Sequence, residues 1–305
     1  MKDTLRVIKP FAAVTLVYLL LVLFLPANKA SMHEYHLSAM QYHVLIFLIV
    51  LPIVVVWFSA FYGYAQIKAY ADKISDTEEG KGFTQLARGF KWLAWGFPIP
   101  AILKIIMNSI VNDHVGFKGA DIIIDSYVTL LVSLIAFTII SNGARGLTNT
   151  KQFFISQRTI RWLVACFVAI GVTYCFLTFR QLDIHHLTST NNPFYLPSWL
   201  MVSSITIPFL YTWFIGILAA YEIIMYGRRS SGILYRRPTR TLALGVALII
   251  VGSIALQYVT SVVPRSAHFS LNGMLLTTYV IRFIAGIGYF ILVVAANRLR
   301  KIEEV

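Results

Sequence analysis

Charge is what this sequence lacks. Only 13% of its 305 residues are Asp, Glu, Lys or Arg, against about 25% in soluble globular chains. That is too little for a water-facing surface, and a soluble fold is excluded. Disorder is excluded too, because disordered chains are poor in apolar residues and 58% of this one is hydrophobic. Cysteine is nearly missing. Cys166 and Cys175 stand nine residues apart in one apolar run, and nine helical steps of about 100° put them on opposite faces, so they form no disulfide together. No long polar stretch leaves room for a soluble catalytic or signalling domain. There is no phosphate-binding Gly-rich loop, no HExxH and no GxSxG. The apolar runs hold no pair of acids and no Ser/His pair. No motif supports an enzyme, and no catalytic residue is named. The histidines lie in loops or at segment ends rather than facing one another deep in the apolar runs, which excludes a multi-haem cytochrome.

What is present are long apolar blocks. Eight segments, at about 10–26, 44–67, 92–111, 122–141, 160–178, 199–225, 241–263 and 273–297, approach the roughly 20 residues that cross a bilayer as helix. Lipid leaves backbone groups no partner outside the segment, so the expected fold class is an all-α, polytopic membrane helical bundle. The short alternating strands of a membrane barrel are absent from the pattern.

Lys and Arg total 26 against 13 acids, a net charge of +13. The asymmetry between loops accounts for this without nucleic acid. One set of loops holds Lys2, Arg6, Lys9, Lys68, Lys73, Lys81, Arg88, Lys91, Arg145, Lys151, Arg158, Arg161, Arg228, Arg229, Arg236, Arg237, Arg240, Arg298, Arg300 and Lys301. The other holds only Lys29, Lys118, Arg180 and Arg265. The positive-inside rule then expects both termini in the cytoplasm, with the chain in the plasma membrane or, in a bacterium, the inner membrane. A signal peptide cleaved after Ala30 is the rival reading. Asn28 fits its −3 position poorly, because a small residue is preferred there.

The chain also resembles itself. Arg6-Val-Ile-Lys9 opens the first segment and Arg158-Thr-Ile-Arg161 the fifth; Phe24-Leu25 and Phe176-Leu177 close them. Pro52 and Trp57-Phe58 match Pro208 and Trp213-Phe214. Arg88, Lys91, Leu93-Ala94 and Gly96 match Arg237, Arg240, Leu242-Ala243 and Gly245. Tyr127-Val128 matches Tyr279-Val280. These matches imply two four-helix transmembrane repeats, residues 1–150 and 151–305. An even number of spans per repeat makes them parallel, related by an axis along the membrane normal.

Intramembrane charges are functional candidates because they are costly. Arg282 lies about nine residues, or roughly 13 Å, into the eighth segment, on one stripe with Thr278, Tyr279, Gly286 and Tyr289. Lys104 lies in the third segment, with Asn108 one turn outward. Pro98 and Pro100 should break or kink the helix just before it. Asp125 opens the fourth segment, and Gln257 lies on a polar face of the seventh. Together these residues read as a cationic vestibule for a small anionic ligand in the outer half. The structural alternative pairs Lys104 with Asp125 and leaves Arg282 on helix carbonyls. Glu222, near the inner end of the sixth segment, aligns with Gln66.

Ser31-Met-His-Glu34 fits a capping box, which expects a helix running unbroken from residue 32 into the second segment. It would gather His33, His36, Met40 and His43 on one arc. His185 and His186 occupy the matching place in the second repeat. Imidazole and thioether are a copper or zinc ligand set, although no compact spacing is present. The turn after the second segment is expected at residues 76–82. The functional expectation is a transporter or permease. A non-transporting assembly partner or receptor component is the alternative, as is a membrane enzyme acting on a lipid-linked substrate. The expected partners are the bilayer, the anionic ligand and a further protein or copy of this chain. No cofactor is identified.

Overall fold

The computed structural model describes residues 2–24, 36–96, 98–103, 128–148, 198–229, 233–261 and 271–302, together with Trp162, Ala165, Cys166 and Ala169. The described residues form seven helices and no strand: α1 (Lys2–Phe24), α2 (Ala39–Lys73), α3 (Glu78–Gly96), α4 (Thr129–Thr148), α5 (Ser198–Arg229), α6 (Ile233–Ser261) and α7 (Leu271–Ile302). Four of them, α2, α4, α5 and α7, are long and apolar enough to cross a membrane. The fifth predicted segment, 160–178, lies outside the described residues apart from those four single positions.

Helix starts follow capping chemistry. α2 begins at Ala39 because Ser38 accepts from the Gln41 amide while Gln41 accepts from the Ser38 amide, a reciprocal capping box. His36 has a φ of 51°, a left-handed conformation that a continuing helix does not tolerate. No helix therefore runs unbroken from residue 32, and His36 does not share a helical arc with His43. The turn after α2 is also shorter than expected, confined to residues 74–77. Thr77 caps α3 by accepting from the Gly80 amide at 3.0 Å. Gly80 and Gly82 lie inside α3, and a side chain at Gly80 would run into the Ile74 carbonyl.

Most helices overrun the apolar segments at their basic ends. α2 reaches Lys73, α3 begins at Glu78, α4 continues to Thr148 and α6 begins at Ile233. Arg145 is thus a half-buried residue of α4 rather than a loop residue. Residues 98–103 are helical beyond α3.

The six helices α2 to α7 pack in a closed ring in chain order, with α7 returning to α2, and α1 lies against α2. α1 seats through Phe11, 5.2 Å from Phe61 between ring centres, and Tyr18, edge-on to Trp57 at 5.0 Å. Trp57 is fully buried as a result. α3 meets α4, and α6 meets α7, along glycine ladders. A Cβ at Gly89 would stand 2.9 Å from the Ala136 carbonyl oxygen, and Gly96 faces Val132. A Cβ at Gly245 would stand 2.9 Å from the Gly288 carbonyl oxygen, and one at Gly252 2.7 Å from the Ala285 amide. Small residues let helix backbones approach and gain dispersion contacts, the main attraction left between helices in lipid. The core of the ring is aromatic and aliphatic: Phe61, Phe83, Phe90, Phe137, Ile140, Ile223 and Tyr289 are all fully buried.

Candidate functional site

The polar groups of the described bundle collect where α4 meets α5. Thr138, Ser141, Arg145 and Thr148 recur every three to four residues on α4, on the face turned away from the glycine ladder. Tyr211 and Glu222, eleven residues apart, fall on one line of α5. The two lines meet at both ends. At the basic end, Thr148 Oγ1 donates to Glu222 Oε2 at 2.9 Å. Arg229 Nη1 donates to the Thr148 carbonyl at 3.1 Å. That carbonyl is one of the last four of α4, which no residue of its own helix can satisfy. Nearby, Tyr226 OH donates to Glu79 Oε2 at 2.8 Å, tying α5 to the first turn of α3, and Phe83 lies edge-on to both Tyr70 and Tyr226.

Three turns further along, the Tyr211 hydroxyl lies against Thr138 and within the field of Arg145. The contact is poorly formed. Thr138 Oγ1, Ser141 Oγ and Tyr211 OH are all buried without a hydrogen bond of proper geometry. Thr138–Tyr211 and Thr148–Glu222 advance in the same direction along both helices, so α4 and α5 run parallel.

Where α7 meets α2, the buried polar groups include Gln66, whose Oε1 has no hydrogen-bond partner. On the same seam Gly63 packs under Leu292 and Val293, and Val56 under Gly286.

The residues expected to bind ligand are not brought together by any described side chain. Lys104, Asn108 and Asp125 lie outside the described residues. Gln257 lies on the helical backbone of α6, and Tyr279 and Arg282 on that of α7, with side chains outside the described set. By helical period, position 282 shares a face with Ala285 and Tyr289, both buried, and not with Phe283 and Phe290, both exposed. Of the histidines, His33, His185 and His186 lie outside the described residues. His36 is exposed, and His43 is half-buried with its Nδ1 unpartnered. Among the described residues no three metal-ligating side chains come together.

The polar line of α4 was missed in the sequence. Serine and threonine barely alter hydropathy, and Arg145 reads as the start of a loop. The available signal was the spacing of Thr138, Ser141, Arg145 and Thr148. No protein-family model, curated protein or solved structure matches the chain.

Proposed function

We propose that this chain is a transport protein for a small anionic solute, built from two parallel four-helix repeats. The observation that carries the reading is the ring order. The run α2–α3–α4 and the run α5–α6–α7 each pack in sequence, and α4 meets α5 as α7 meets α2. A two-fold axis through the ring would produce that pattern.

Residue contacts support the same relation. On the alignment of Trp57 with Trp213, the last residue of α2, Lys73, falls on the last residue of α5, Arg229. Carried into the next helix, that alignment puts Gly89 on Gly245 and Gly96 on Gly252. Tyr127 on Tyr279 puts Ala136 on Gly288 and Ile140 on Leu292. Gly89 approaches Ile140 and the Ala136 carbonyl, and Gly245 approaches Leu292 and the Gly288 carbonyl. The register suggested by Arg88 and Arg237 differs from this one by a heptad.

The ladders also act as rulers for the outer half. Counting outward from Gly252 opposite Ala285, Gln257 comes level with position 280, between Tyr279 and Arg282. Lys104, Asn108 and Asp125, in the first repeat, lie outside the described residues. The proposed outer site takes Arg282, Gln257 and Tyr279 from the second repeat and Lys104, Asp125 and Asn108 from the first. The guanidinium of Arg282 cannot shed its charge, and near a span centre it costs on the order of 2.5–3.5 kcal/mol, which an anion and the amide of Gln257 would offset. Both termini face the cytoplasm in this arrangement.

The test is uptake of labelled phosphate, sulfate and succinate by proteoliposomes of the purified chain. At least one solute should accumulate above empty liposomes, and Arg282→Gln should abolish that uptake per folded molecule while leaving the melting curve close to wild type. Loss that only tracks the amount of folded protein, or no accumulation of any of the three, refutes the reading. A second reading, an assembly partner, is favoured by one observation: Ile207, Leu210, Phe214, Ile217 and Tyr221 form an exposed apolar stripe on α5.

A further inference from the structure

We propose that the α4–α5 seam is a water-binding inlet, open at the basic end of the bundle beside Glu222 and Arg229 and reaching inward to Tyr211. The argument starts from orphaned oxygens. Thr138 is 6% exposed and Ser141 2%; the Ser141 hydroxyl has no partner, and those of Thr138 and Tyr211 have only each other, short of hydrogen-bond geometry. A buried polar oxygen without a hydrogen bond is costly, more so in a bundle set in lipid, and bound water is the usual remedy where several such groups lie within reach of one another. Here they continue a polar line about 15 Å long, ten residues at 1.5 Å each, whose near end is already occupied by Thr148, Glu222 and Arg229.

The other seam is the internal control. On the repeat alignment, Ser141 corresponds to Val293, Thr138 to Phe290, Tyr211 to Val55 and Glu222 to Gln66. Val293 is buried much as Ser141 is, so the fold accepts an apolar side chain at this place. The Ser59 hydroxyl on α2 donates to the Val55 carbonyl of its own helix at 3.0 Å. Both seams are polar at their basic ends, and on the α4–α5 seam Ser141 and Thr138 carry unpartnered hydroxyls two turns deeper. The ring accepts apolar Val293 at this depth in one seam, and the α4–α5 seam carries Ser141 there instead. The inference uses the repeat alignment for its control and does not depend on any solute being moved.

The experiment is thiol accessibility in membrane vesicles of the full chain with Cys166→Ala and Cys175→Ala. Single cysteines Ser141→Cys and Val293→Cys are exposed to a small charged methanethiosulfonate from either side. Only a hydrated thiolate reacts, so Ser141→Cys should be modified about tenfold or more faster than Val293→Cys, and only from the basic side. Equal rates, or modification of Ser141→Cys only from the opposite side, overturn the proposal. Ser141→Ala supplies a readout that tolerates a poorly folding cysteine variant. Removing a hydroxyl held by water should leave the melting temperature unchanged or lower it, whereas removing an unpaired hydroxyl from a dry seam should raise it, and a rise overturns the inlet. Accessibility at Ser141 in a chain that accumulates no anion would refute the transport reading and leave the inlet standing.

Discussion

Gly143 should be far less tolerant of a methyl group than Gly146, though both are glycines in the last turns of the same helix. A Cβ at Gly143 would stand 2.8 Å from the Gly82 carbonyl oxygen and 2.8 Å from the Leu86 amide nitrogen. Ordinary contact begins near 3.4 Å, so the shortfall is about 0.6 Å on both atoms. Both are backbone atoms of α3, and no rotamer change can relieve the overlap. The two helices must separate along a ladder that depends on close approach. Overpacking of this kind costs roughly 1–3 kcal/mol, against about 1 kcal/mol gained when alanine replaces a helical glycine. Gly143→Ala should therefore be destabilising by up to about 2 kcal/mol after that offset. At Gly146 the nearest atom would be Gly82 Cα at 3.6 Å, and the position is exposed, so Gly146→Ala should keep most of the propensity gain. Unfolding in mixed detergent and SDS micelles, followed by tryptophan emission, orders the two against wild type. If Gly143→Ala proves as stable as Gly146→Ala, the ladder is not the close contact described above.

Two further outcomes test the arrangement around it. On the duplication, Leu163 corresponds to Phe11 and Ile217 to Phe61, so a cysteine-free chain carrying Leu163→Cys and Ile217→Cys should form an intrachain disulfide as readily as one carrying Phe11→Cys and Phe61→Cys. Failure of the first pair alone would remove the fifth segment from the α5 stripe and the repeat with it. A reporter fused after Val305 should be active only inside the cell; activity only outside would reverse the orientation, and a mature N-terminus at Ser31 would show that the first segment had been cleaved.

Hydropathy located most of the described helices but not their ends, and the reason is physical. An apolar run marks the thickness of the hydrocarbon core, while a helix continues for as long as backbone hydrogen bonds and packing allow. α2 runs on to Lys73 and α4 to Thr148 because their inner turns pack on α3 and α5, out of a window's sight. Capping was ambiguous in the sequence for a different cause. Ser31-Met-His-Glu34 and Ser38-Ala-Met-Gln41 are the same pattern seven residues apart. The second caps α2, and the left-handed backbone at His36 separates it from whatever precedes it. The polar seam was illegible because hydroxyl side chains on one helix acquire meaning only from the neighbour they face. Nothing in the residues of α4 announces that Tyr211 and Glu222 stand opposite.

The proposed repeat shows most clearly where sequence comparison stops. Glycines at 82, 89 and 96 recur every seven residues, the period at which one helix meets its neighbour, and Gly245 and Gly252 continue the same rhythm. A pattern with that period matches itself almost as well after a slide of one heptad. Leu93-Ala94-x-Gly96 fits Leu242-Ala243-x-Gly245, and Leu86-Ala87-x-Gly89 fits it equally. Those four-residue motifs by themselves offer no ground for choosing. Under the proposed repeat, contact favours the second: Gly89 approaches the Ala136 carbonyl and Ile140, and Gly245 the Gly288 carbonyl and Leu292, while Gly96 meets Val132. The second choice also runs without a gap from α2 through α3, as it does from α5 through α6. The heptad that lets the helices pack closely is the same heptad that disguises their register. Any functional residue transferred between the halves on the first alignment, including a partner for Arg282 or Lys104, would be misplaced by two turns, about 10 Å along the helix.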